Sequence, residues 1–108
     1  FTLAWTHSIE KIRWEEDYRI ERSRLVLVEA RIQGAGAGME PPPDAQFRQG
    51  WWRYRPALAP LAVVTLARSR VAGDYELCWD GRCRTLAAMV GEPPENGVPL
   101  LVFSCPPP

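Results

Sequence analysis

Cys78 and Cys83 flank the tetrapeptide Trp79-Asp80-Gly81-Arg82. Asp-Gly favours a two-residue type I′ hairpin, in which Trp79 and Arg82 would close the turn as a hydrogen-bonded pair. Cys78 and Cys83 then fall opposite each other at the next, non-hydrogen-bonded position, where Cβ atoms approach most closely. A cross-strand disulfide fits that placement in an oxidising compartment. Free thiols are one alternative. A metal site is another, but it would need Cys105 and His7 to complete four ligands, and the Cys-x4-Cys spacing has no second paired motif. The expectation is a disulfide, with no metal and no cofactor. Cys105 reads as a buried small apolar residue.

His7 and Ser8 invite a base and nucleophile reading, with Glu16 as the carboxylate. Adjacent residues of a strand point to opposite faces, so the imidazole and the hydroxyl do not meet while the strand is regular. The pairing derived below also sets Glu16 four residues past the position facing His7, about 13 Å at ~3.3 Å per residue. Catalysis by His7, Ser8 and Glu16 is therefore the least favoured reading. Glu16 itself is unusual, a carboxylate on the apolar face formed by Ile12, Trp14, Tyr18 and Ile20. A carboxylate buried there needs partners or takes up a proton. It could bind a cation, or an amine or hydroxyl of a ligand between Trp5, Trp14 and Tyr18. It could equally accept backbone or Trp N–H bonds and fix the register. Gly34, Gly36 and Gly38 alternate with Ala but lead into Met39, Glu40 and three prolines rather than a helix, which excludes a dinucleotide fingerprint. Exposed N–H groups near Gly36, Gly38 and Ser8, at one end of the sheet, could hold an anion.

The elements that position these residues are strands. Phe1, Leu3, Trp5 and His7 alternate with polar or small residues, and Ile12 to Ile20 alternates against Arg13, Glu15, Asp17, Arg19 and Glu21. An even loop at 8–11 sets Trp5 opposite Trp14, Leu3 opposite Glu16 and Phe1 opposite Tyr18. For the next hairpin an odd loop at Glu21, Arg22 and Ser23 sets Tyr18 beside Val26 and Trp14 beside Ala30, with Val26, Val28, Ala30 and Ile32 on one face. Further strands are expected at Gln49–Tyr54, Leu61–Leu66, Tyr75–Trp79, Arg82–Leu86 and Val98–Phe103, with one helical turn at Leu86–Val90. Seven or eight short strands and at most one short helix predict an all-β fold, a small antiparallel β-sandwich or partly closed barrel.

The chain has 108 residues, a size for one domain over 1–108. Thirteen basic residues offset thirteen acidic ones, so no field of one sign exists to collect nucleic acid. Apolar runs fall far short of the ~20 residues of a spanning helix. The sequence opens on Phe1 in a strand pattern without an initiator Met, and a signal or anchor segment is expected to have been removed upstream.

The residues Phe1-Thr-Leu-Ala-Trp-Thr-His-Ser-Ile-Glu10, then Trp14, Glu15, Glu16, Tyr18, Ile20, Leu25, Leu27, Glu29 and Gly36-Ala37-Gly38, resemble a bacterial domain-of-unknown-function family, number eighteen-fifty. Its members begin with an aromatic-Thr-His-Ser-Val strand, continue to a Glu-x-Tyr strand and reach a Gly-Ala-Gly turn. Trp5 stands where the family often has Tyr, and Ile9 where it has Val. The resemblance implies an exported, periplasmic or membrane-anchored bacterial protein. It further implies a non-enzymatic accessory to a TAXI-type TRAP solute transporter, with the membrane or solute-binding component as partner. The alternative is a small-molecule or ion-binding module around Trp5, Trp14, Glu16 and Tyr18.

Overall fold

The computed structural model describes residues 1–6, 11–34, 42–70 and 73–105. Its elements are β1 (Thr2–Thr6), β2 (Arg13–Glu21), β3 (Arg24–Gln33), β4 (Gln46–Arg48), β5 (Trp51–Tyr54), β6 (Val64–Arg68), β7 (Glu76–Trp79), β8 (Arg82–Thr85), α1 (Leu86–Val90) and β9 (Val98–Val102). Seven strands make an antiparallel sheet in the order β4-β5-β3-β2-β1-β7-β8, and β6 and β9 form a two-stranded ribbon. The all-β architecture with one short helix is as expected. The strand count among the described residues is higher because the 49–54 segment does not run as one strand. Gln49 and Gly50 take positive φ, 54° and 85°, and form a turn that separates β4 from β5. The expected 61–66 strand likewise starts late, at Val64, while Leu61 makes a lone bridge to Leu25.

The first hairpin has the expected register, with Trp5 opposite Trp14 and Leu3 opposite Glu16. Phe1 and Tyr18 complete it by exchanging two backbone bonds, the terminal amine donating to Tyr18 O at 3.0 Å and Tyr18 N to Phe1 O at 2.7 Å. The second hairpin overturns the odd loop. Arg22 and Ser23 form a two-residue turn, both at positive φ (52° and 62°), the signature of type I′, and Glu21 pairs with Arg24. That turn sets Leu25 and Leu27, not Val26 and Val28, on the face of Ile20 and Tyr18. The parity is then reset, since Tyr18 pairs with Leu27 while Asp17 pairs with Glu29. Val28 is thus the extra residue of a β-bulge, and Ala30 and Ile32 rejoin the inner face opposite Glu16 and Trp14.

The inner face of the sheet is covered over part of its length. Leu3, Tyr18, Leu25, Leu66 and Leu86 form the buried cluster, with Phe1, Leu27, Leu61, Val64, Tyr75, Leu77, Leu100 and Val102 packed against it. The ribbon contributes Val64, Leu66, Leu100 and Val102, and α1 contributes Leu86. Thr85 caps α1 by accepting from Ala88 N at 3.1 Å, and Asp74 accepts from Ala87 N at 2.7 Å. The buried Arg68 ties β6 to the far end of the helix by donating to Gly91 O at 3.0 Å. No helix of the described residues is long and apolar enough to cross a membrane.

The outer face is charged and self-paired. Arg31 donates to Glu15, Asp17 and Glu29 at 3.1, 2.5 and 2.7 Å. Arg13 bridges Glu15 and Glu76 at 2.9 and 2.8 Å, and Arg53 reaches Glu29 at 3.3 Å. The chain of ion pairs therefore links four strands, β7, β2, β3 and β5, and passes over β1. Asp17 also accepts from Thr2 Oγ1 at 2.6 Å on β1. Burial opposes its ionisation, but bonds from Arg31 and Thr2, with the charges of Arg31 and the N-terminus, hold its carboxyl below the usual range.

The β7–β8 hairpin turns at Asp80 and Gly81 as expected, and Cys78 and Cys83 face each other and are disulfide-bonded. Cys105 departs from expectation, being exposed and free, because it lies beyond β9 where no element covers it.

Two outcomes follow. Ser23→Gly relieves a left-handed residue in the type I′ turn and should stabilise the fold by about 0.5–1 kcal/mol in urea unfolding, net of the entropy that Gly adds to the unfolded chain. Protein from an oxidising compartment should titrate one thiol, Cys105, whether folded or denatured without reductant. Three thiols would refute the bridge.

Candidate functional site

The pairing sets two rows of side chains across the inner face. One runs Tyr54, Ala30, Glu16, Leu3 and Leu77 over β5, β3, β2, β1 and β7. The next, one pleat further along, runs Trp52, Ile32, Trp14 and Trp5 and is continued by Tyr75, whose ring tilts against Trp5 at 5.5 Å and 53°. Trp5 and Trp14 stack at 5.9 Å and 18°, and Trp52 meets Phe47 at 5.0 Å. These three indoles lie outside the set that packs under the ribbon and α1. The sheet thus presents a row of aromatic rings next to its covered core, with a carboxylate at the boundary.

Glu16 occupies that boundary because β2 alternates strictly there. Trp14, Glu16 and Tyr18 face inward while Arg13, Glu15 and Asp17 join the outer ion pairs. Its neighbours across the sheet are Ala30 and Leu3, 2% and 0% exposed, so the carboxylate stands beside one small and one fully buried side chain. The Tyr18 hydroxyl donates to Glu16 Oε1 at 3.1 Å. Burial pushes the Glu16 carboxyl above its ordinary range, and the Tyr18 bond opposes this. Tyr18 is in turn raised by burial and then by the charge of Glu16, and Tyr54 and Tyr75 are raised by the same two causes. Tyr18 contacts the carboxylate, and Tyr54 and Tyr75 feel its charge without a hydrogen bond to it. Trp14 Nε1 is buried and has no hydrogen-bond partner. A Trp14 N–H bond to Glu16 is thus absent, and the Tyr18 phenol is the donor in its place.

Trp5, Trp14, Glu16 and Tyr18 are brought to one face, as the alternation predicted. His7, Ser8, Gly36 and Gly38 lie outside the described residues. Sequence reasoning did not assign Trp52, Tyr54 and Tyr75 to this site. Trp52 and Tyr54 are two apart and so share a face, but only the β3–β5 pairing shows that it is the face of Glu16. Among the described residues no group of three or more His, Cys, Asp or Glu is placed to hold a metal ion.

A family model described as Domain of unknown function (DUF1850) matches residues 1–86, the segment that holds the whole seven-stranded sheet, and the chain belongs to this family. No curated protein and no solved structure matches it.

The raised Glu16 carboxyl fixes the sign of a pH effect. Its folded value lies above the ordinary 4.5, so the folded state binds more protons, and stability falls as pH rises from there through the folded value. Glu16→Gln removes the ionisation and keeps an acceptor for Tyr18. The variant should melt at a higher temperature than the parent at neutral pH and lose that advantage as pH falls below 4.5. An equal melting temperature at neutral pH would show that the carboxylate carries no desolvation cost.

Proposed function

We propose that this chain is a non-catalytic binding module, one exported all-β domain accessory to a TAXI-type TRAP solute transport system. Its binding surface is the aromatic row beside Glu16. The observation that carries this reading is an under-partnered pair of polar groups in an apolar setting: a half-buried carboxylate held by one phenol, and a buried indole N–H without an acceptor. A carboxylate kept only for structure gains most from several donors. One left with lone pairs to spare, between aromatic walls, suits a ligand that presents an amine or hydroxyl to Glu16 and an acceptor to Trp14. His7, Ser8, Gly36 and Gly38, which lie outside the described residues, enter the proposal as candidate ligand-binding residues on the sequence reading alone.

The accessory role rests on the resemblance of the first third of the chain, and the Cys78–Cys83 bridge supports an oxidising, periplasmic or otherwise extracytoplasmic setting. The partner is the membrane or the solute-binding component of the transporter. Pull-down from native membranes should recover one of the two, and deletion should impair solute uptake. Recovery of neither, with uptake unchanged, would overturn the accessory role. A thermal-shift screen of amines, amino acids, carboxylates and divalent cations tests the site. A rise in melting temperature that Glu16→Gln abolishes is expected; a flat screen would leave a protein-binding surface in its place.

A further inference from the structure

The strongest feature outside the Glu16 face is a cleft of about 330 Å³ at the β4–β5 edge of the sheet, on the charged side. Its lining includes Arg48, Arg53 and Arg55, with Gln46, Glu29 and Asp44. The backbone explains the cluster. Arg53 pairs with Arg31 on one side and with Gln46 on the other, so both neighbours share its face. Arg48, two residues along from Gln46 on β4, falls on the same side, and Arg55, just past β5, lines the same cleft. Three guanidiniums thus converge on one short hairpin.

At the centre of this face the guanidiniums are well paired, Arg31 by three carboxylates and Arg13 by two. In the cleft they are not. Glu29 is shared between Arg31 at 2.7 Å and Arg53 at 3.3 Å, and Arg48 and Arg55 have no ion pair among the described residues. Asp44, the other carboxylate of the lining, makes none either. The local charge is three guanidiniums against two carboxylates, one of them already committed to Arg31. Like charges gathered this way repel unless an anion joins them.

We propose that this cleft binds a small organic anion with more than one carboxylate, each taken by a guanidinium fork, with the Gln46 amide as a neutral donor. The Arg fork matches carboxylate geometry with two parallel N–H···O bonds. The volume is at the lower end for small-molecule sites, which suits a compact polycarboxylate rather than a nucleotide. Tyr54, the inner-face neighbour of Ala30, also lines the cleft, but the groups proposed to hold the anion are Arg48, Arg53, Arg55 and Gln46, so the proposal does not rest on the Glu16 reading.

Calorimetric titration of the whole chain at constant ionic strength, with citrate as probe and inorganic phosphate as comparator, tests it. Saturable citrate binding is expected. The Arg48→Gln/Arg55→Gln double variant should weaken it about tenfold or more, and Glu16→Gln should leave it unchanged. Arg48→Lys and Arg55→Lys keep the charge and remove the fork, and each should weaken binding severalfold. They serve as the check if the double variant fails to fold. Absence of saturable heat, parental affinity in the Lys and Gln variants, loss of citrate binding in Glu16→Gln, or phosphate binding as tight as citrate would each overturn the proposal.

Discussion

The bulge at Val28 is the constraint on which both faces of the sheet depend. A two-residue turn at Arg22 and Ser23 sets Leu25 and Leu27 inward, where Leu25 joins the buried cluster and bridges to Leu61. Without an extra residue, that parity would carry Val28 out but also turn Arg31 inward and Ala30 and Ile32 to the charged side. The shift between the Tyr18–Leu27 and Asp17–Glu29 pairs reverses the alternation once. Beyond it Arg31 faces outward, between Glu15 and Asp17, and Ala30 stands beside Glu16. A single unpaired residue thus lets one strand serve the leucine core at one end and the aromatic row at the other.

The two faces solve the problem of an uncovered sheet differently. On the outer side no second layer is needed, because Arg31, 13% exposed at its side chain, draws carboxylates from β2 and β3 over the strands, and Ala4 lies fully buried beneath that layer. Each ion pair there is partly desolvated and geometrically constrained, so the set acts as a lid of charged stems over small side chains. On the inner side the cover is apolar but short. The β6–β9 ribbon and α1 protect the levels of Leu3, Tyr18 and Leu25 and leave the Trp52, Trp14 and Trp5 level to protect itself by ring stacking. That division keeps the aromatic row outside the covered core.

Much of this was legible in the residues. Period-two alternation identified β1, β2 and the β7–β8 hairpin, and the Asp80-Gly81 pair located the disulfide. The same alternation brought Trp5, Trp14, Glu16 and Tyr18 to one face. What misled was the assumption that β3 keeps a single parity. Val26, Val28, Ala30 and Ile32 form an unbroken β-branched and small series, yet Leu25, Leu27, Ala30 and Ile32 face the core, a pattern with one skipped residue that only makes sense around a bulge. Arg22 and Ser23 carry no Asn or Gly to announce a type I′ turn, and Leu27 on the core side was the one available hint. Tyr54 and Tyr75 escaped notice because their contribution depends on cross-strand neighbours far away in sequence, which alternation within one strand does not reveal.

The contrast between Glu15 and Glu16 shows how differently the sheet partners two adjacent carboxylates. The two are adjacent, so the pleat sends them to opposite faces with the same backbone support. Glu15 meets Arg13 and Arg31, each oxygen accepting from a guanidinium, so its charge is doubly compensated. Glu16 meets Leu3, Ala30 and one phenol, in surroundings that penalise its charge. If β2 needed only a stable inner face, an apolar residue between Trp14 and Tyr18 would serve it at lower cost than a carboxylate with a single donor. Ala30 offers it only a methyl group, and the neighbouring indole N–H of Trp14 lacks an acceptor. Desolvation strengthens whatever charge or donor completes the pair, and a group entering between the rings would supply what neither β1 nor β3 provides.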